Sequence, residues 1–179
     1  MKKKTIDAAY HEAGHVVALI LINRRFKYVT IVPEENKDDP FPVKTLGHVK
    51  EYPLKNKYQW EINYFFDPSV IDKYLKDDFT KVAGIIAEKI HTGKFNNLGA
   101  RGDFRNWVDT TLHDLPEKLS LSYQKFLLEY TKVILEMNIN WIRITAVAEA
   151  LLERKTLSYN QVWEVIRKRI DLEINKNKN

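Results

Sequence analysis

A mainly helical domain with a small antiparallel β-sheet is what this sequence predicts, and three observations predict it. Apolar residues recur at helical spacing through the first 25 residues and through most of the chain after Pro68. Two short β-branched and aromatic runs, each closed by a proline, lie between those helical regions. The length of 179 residues, with 44% apolar and 30% charged residues, fits one globular domain with a real core. No repeat and no Gly/Ser- or Pro-rich linker divides the chain, so residues 1–179 read as a single domain with short, disordered, lysine-rich tails at 1–4 and 175–179.

The elements follow in order. Residues 1–25 read as an amphipathic helix interrupted by no proline and only by Gly14. Tyr28-Val29-Thr30-Ile31-Val32 is a strand that stops at Pro33, and Glu34 to Pro42 is a polar loop expected to be irregular. Thr45 to Tyr52 is a second strand ending at Pro53, expected to pair antiparallel with the first. Val70 to His91 is helical, with Val70, Ile71, Tyr74, Leu75, Phe79, Val82, Ile85 and Ile86 on one face and a stop near Gly93. Phe95 to Gly102 is a loop, and Asp103 to Leu115 a further helix. Pro116 opens a long helix to about Asn138, where a first-turn proline is tolerated. Asn140 to Lys155 and Ser158 to Ile174 complete the set, the last marked by a Ser158/Gln161 capping box.

Composition removes several functions. There is no cysteine, which excludes disulfides, thiolate metal sites and cysteine nucleophiles. The net charge of +5 is matched by Lys2, Lys3, Lys4, Lys176 and Lys178 at the two ends, so the body is neutral and a nucleic-acid partner is not expected. The longest apolar run, Val16 to Ile22, is far short of the roughly 20 residues a membrane span needs. Acidic residues and histidines before that run, and Asn23-Arg24-Arg25 after it, do not fit a secretory signal, so a cytoplasmic protein is expected.

One motif bears chemistry. His11-Glu12-Ala13-Gly14-His15 is an HExxH sequence inside the first helix. Residues four apart stack on one helical face, so both imidazoles can address one metal ion. Glu12, one position round, stands beside that ion and can take the proton of an attacking water. Random placement of this chain's histidines and glutamates would produce roughly 0.01 such matches. A catalytic zinc site takes three protein ligands. The third has to come from outside the motif, and Glu88, His91, Asp103, Asp109 and His113 are the candidates that spacing alone leaves open.

The sequence resembles the peptidase domain of the FtsH-type, membrane-anchored AAA zinc proteases. Ala9-Tyr10-His11-Glu12-Ala13-Gly14-His15-Val16-Val17 is similar to that family's tyrosine-flanked HEAGH helix, and Val29-Thr30-Ile31-Val32-Pro33 to the strand that follows. Thr45-Leu46-Gly47-His48-Val49 resembles the next strand's leucine-glycine step. Ala83-Gly84-Ile85-Ile86-Ala87-Glu88-Lys89-Ile90 with Gly93 resembles its glycine and alanine-glutamate helix. Gly99-Ala100-Arg101-Gly102-Asp103 resembles its Gly-Ala-x-x-Asp, and Ala148 to Leu157 its late alanine-leucine-leucine helix. The blocks keep the family's order over about residues 8 to 166.

The resemblance implies a FtsH-peptidase-like helical domain with Zn2+ held by His11, His15 and Asp103 and with Glu12 as general base. It gives Glu88 a structural role or one in support of a ligand, such as a hydrogen bond that orients it, and it leaves His91 and His113 on the surface. His48 falls where the family's strand borders the active site, a place for substrate backbone to add as a further strand. FtsH-type proteins also have membrane spans and an ATPase that threads substrates. Here no Gly-x4-Gly-Lys-Ser/Thr phosphate loop occurs, and Met1 lies just before the first peptidase helix. The expectation is therefore a stand-alone, ATP-independent metalloendopeptidase acting on flexible polypeptide, as a homo-oligomer or with a separate ATPase partner. The alternative is a catalytically inactive FtsH-peptidase-like domain serving protein interaction.

Overall fold

The computed structural model describes residues 3–35, 44–52, 68–95, 107–108 and 117–176. Five helices and two small antiparallel sheets make up the described residues: α1 (Lys3–Leu21), β1 (Phe26–Thr30), β2 (Glu34–Glu35), β3 (Lys44–Thr45), β4 (His48–Glu51), α2 (Pro68–Thr92), α3 (Glu117–Glu136), α4 (Asn138–Arg154), β5 (Thr156–Ser158) and α5 (Tyr159–Lys176). The expected architecture, mainly helical with a small antiparallel sheet, is the one observed.

Helix α1 buries Ala9, Ala13, Val16, Val17 and Ala18 completely and lies between α2 and α4. Its small side chains let the helices approach closely. A Cβ on Gly14 would stand 2.5 Å from the Ala83 carbonyl oxygen and 2.6 Å from the Ala87 Cβ, so α1 meets α2 at a distance only glycine permits. The helix ends in two crossed hydrogen bonds, Arg24 N–H to the Leu19 carbonyl (2.8 Å) and Asn23 N–H to the Ile20 carbonyl (3.0 Å). Asn23 takes the left-handed conformation (φ 57°) that this termination requires. The chain then turns into β1.

Strand β1 is central in a sheet of order β4-β1-β5, antiparallel on both sides. Val29 faces Val49 and Leu157, and Thr30 faces His48 and Thr156. Val29 and Leu157 are fully buried and fasten the sheet to the helical core. The first two strands pair as expected, though β1 starts two residues earlier because Phe26 is buried against Tyr159. The expected irregular loop from Glu34 is corrected at its start: Glu34 and Glu35 pair with Thr45 and Lys44. Strand β5 was not expected. It is reached through Lys155, whose φ of 67° closes α4 with a bond to the Leu151 carbonyl, while its own carbonyl accepts from Ile31 N–H at 2.9 Å.

Helix α2 packs on α1 and α3, and α4 packs on α5. The core is Val16, Leu19, Phe26, Val29, Val82, Ile86, Leu127, Leu135, Ile144, Val147, Leu151 and Leu157, with Trp107 fully buried among them. The capping box is present: Ser158 N–H donates to Gln161 Oε1 at 2.8 Å, and Gln161 N–H to Ser158 Oγ at 3.4 Å. Lys3 and Lys4, expected in a disordered tail, belong to α1, and Asn175 and Lys176 to α5. No helix among the described residues is long and apolar enough to cross a membrane.

Candidate metal centre

Helices α1 and α2 run antiparallel, so ascending positions on one meet descending positions on the other. His11 meets Glu88, Gly14 meets Ala83 and Ala87, and His15 meets Thr80. Arg24, just beyond α1, continues the series by pairing with Asp77, and it also reaches Glu51 of β4 at 3.6 Å.

The two imidazoles of the motif are fixed at both ends. His15 Nδ1 lies 2.7 Å from the Thr80 carbonyl oxygen. A carbonyl only accepts, so Nδ1 holds the proton and the Nε2 of the neutral ring presents a lone pair. His11 Nδ1 lies 3.1 Å from Glu88 Oε2, which sets the same tautomer by the same argument. The two Nε2 atoms then face each other at 3.1 Å, with the ring planes at 72°. Two lone pairs at that separation repel unless a proton or a metal ion stands between them. Nitrogens bound to one zinc ion at about 2.0–2.1 Å each span about this distance at a near-tetrahedral angle. The donor set therefore fits a metal ion, with Glu88 and the Thr80 carbonyl supplying the outer hydrogen bonds that hold ligating imidazoles in place.

Glu12 is buried at 5% exposure beside this pair. Its side chain lies against Gly47, between β3 and β4: a Cβ there would be 2.8 Å from Glu12 Cγ, 2.9 Å from Oε1 and 2.6 Å from the Thr30 carbonyl oxygen. The leucine-glycine step of the sequence thus makes room for a carboxylate. Strand β4 begins at the next residue and is the outer strand of the three on that side. His48 is half-buried there, with Nε2 3.3 Å from the Tyr28 hydroxyl and Nδ1 3.5 Å from Glu34 Oε2.

The other candidates separate. Glu88 is 3% exposed, with Oε2 3.1 Å from His11 Nδ1. His91 is exposed and stacks flat on Tyr10, with ring centroids 3.6 Å apart at 8°. Asp103, Asp109 and His113 lie outside the described residues. Among the described residues, no group of three His, Asp or Glu side chains forms a complete metal cage. Two participants escaped the sequence reading. The Thr80 contact to His15 is made by its backbone carbonyl, which leaves no side-chain signature, and Gly84 faces the two Nε2 atoms with no side chain. Their signal was the spacing 80, 84, 88, one face of α2 at successive turns.

Comparison with protein-family models and with curated proteins finds no match. The class of site is accordingly defined by its own geometry: a helical two-imidazole donor pair with a buried carboxylate alongside.

Proposed function

We propose that this chain is a zinc-dependent metalloendopeptidase of the FtsH-peptidase type, hydrolysing peptide bonds in flexible polypeptide without ATP. The observation that carries the reading is the imidazole pair, with both Nδ1 atoms hydrogen-bonded and both Nε2 atoms converging at 3.1 Å. His11 and His15 would hold the ion, with Asp103 as the proposed third ligand. Bound zinc supplies Lewis acidity, lowering the pKa of water to about 7 and polarising the scissile carbonyl. Glu12 takes the proton of the attacking water and passes it to the leaving amine nitrogen. Its burial against Gly47 fixes the carboxylate and limits its solvation. Extended substrate adds along β4, placing its backbone beside Glu12, with His48 bordering that path.

The test begins with metal analysis of protein purified without chelator. About one zinc per chain is expected, reduced in Asp103→Ala. Glu12→Gln should keep its zinc and lose about 10²- to 10⁴-fold in peptide hydrolysis; wild-type activity in that variant would overturn the mechanism. A second reading, an inert domain kept for protein interaction, is favoured by the exposed apolar stripe of Leu119, Phe126, Tyr130 and Val133 on α3. It predicts a zinc-loaded wild type inactive on a broad peptide panel.

A further inference from the structure

We infer that Gly84 is the positioning residue of the imidazole pair: its missing side chain is the space into which the two Nε2 atoms converge. The inference rests on the metal-centre reading and deepens it by giving Gly84 a role in that site. A Cβ built on Gly84 would lie 2.4 Å from His15 Nε2, 2.7 Å from His15 Cδ2 and 2.8 Å from His11 Nε2. All three atoms belong to the converging edges of the imidazoles, and none is backbone. Thr80 and Glu88, one turn to either side of Gly84, draw the two Nδ1 atoms toward α2. The rings are thereby pressed onto the helix at the one position between those anchors. Glycine stands there within a 25-residue helix, where it is the least favourable residue after proline. Gly14 provides the contrast, because its nearest neighbour is the Ala83 backbone carbonyl, which cannot swing aside.

A methyl group at position 84 is accommodated by turning the imidazoles off their anchors. The helices can stay where they are, and the donor pair is what is lost. The experiment uses the full chain and Co2+ as the probe, followed by its visible absorption bands, with zinc added in competition. The wild type should bind one ion with the intense bands of a low-coordinate site. Gly84→Ala should bind at least tenfold more weakly with altered bands, while its far-UV circular dichroism and thermal midpoint match or exceed the wild type. Wild-type affinity and unchanged bands in Gly84→Ala would overturn the inference. Should Gly84→Ala fold poorly, Gly84→Ala in a His15→Ala background is compared with His15→Ala alone. Restored folding would support the contact with the imidazole, and an equal defect in both backgrounds would refute it. A wild type that binds neither ion would defeat the metal reading by itself, and the His15 cycle would then decide the role of Gly84.

Discussion

Helix α2 has two polar faces, and each buries a carboxylate. Toward α1 it presents the Thr80 carbonyl, Gly84 and Glu88; toward α3 it presents Asp78, which accepts from the Tyr123 hydroxyl at 3.0 Å. Glu88 and Asp78 are 3% and 1% exposed. Their partners differ in what they can do next. Glu88 meets an imidazole, which has a second nitrogen directed onward to His15. Asp78 takes Tyr123 on one oxygen and Lys81 Nζ on the other at 2.9 Å, closing a contact that fastens α2 to α3. The two buried carboxylates therefore differ in whether the partner has another chemical end to offer.

The comparison can be broken at each face. The largest expected effect belongs to Gly14→Ala, which forces α1 and α2 apart against the Ala83 carbonyl. Thermal unfolding should show a loss at the upper end of about 1–3 kcal/mol, the cost of overpacking a close interface. Metal binding should fall together with stability, whereas in Gly84→Ala metal binding falls and the fold survives. Next comes Glu88→Gln, which keeps a hydrogen-bond acceptor for His11 Nδ1 but removes its charge. Zinc affinity, measured by competition with a chelator, should drop about 10- to 100-fold with the fold intact. Asp78→Asn measured in the same way should leave zinc affinity unchanged. A comparable loss there would mean that the α3-facing contact also sets the position of the Thr80 carbonyl, and the two faces would no longer be independent.

Much of this was legible in sequence where a signal is local. The HExxH spacing places two imidazoles on one face of α1 whatever surrounds them, and the Ser158/Gln161 box marks the start of α5 through bonds three residues apart. Long-range pairing was not legible. Residues Thr156–Ser158 form a strand only because β1, more than 120 residues earlier, offers its second edge, and nothing in three residues between two helices announces that. The outer half of the site was hidden for a related reason. Glu88 was nominated because a carboxylate is visible in sequence, whereas a carbonyl at Thr80 and an absent side chain at Gly84 acquire meaning only when α1 lies across them.

The smallest expected effect sharpens the contrast through pH. Burial raises the Asp78 carboxyl above its ordinary value of 3.8, although Lys81 and Tyr123 pull it the other way. The folded state then keeps this proton to higher pH than the unfolded state does. As pH rises from about 4, the unfolded chain releases the proton first, so Asp78 makes stability decline through its raised folded value. Asparagine at 78 cannot titrate. The thermal midpoint of the wild type minus that of Asp78→Asn should accordingly be highest below pH 4 and fall as pH rises, all other groups cancelling in the difference. Parallel profiles would mean that Asp78 ionises as an exposed carboxylate does. The α3-facing contact would then be open to water, and its difference from the Glu88 face would lie in solvation rather than in the chemistry of the partner.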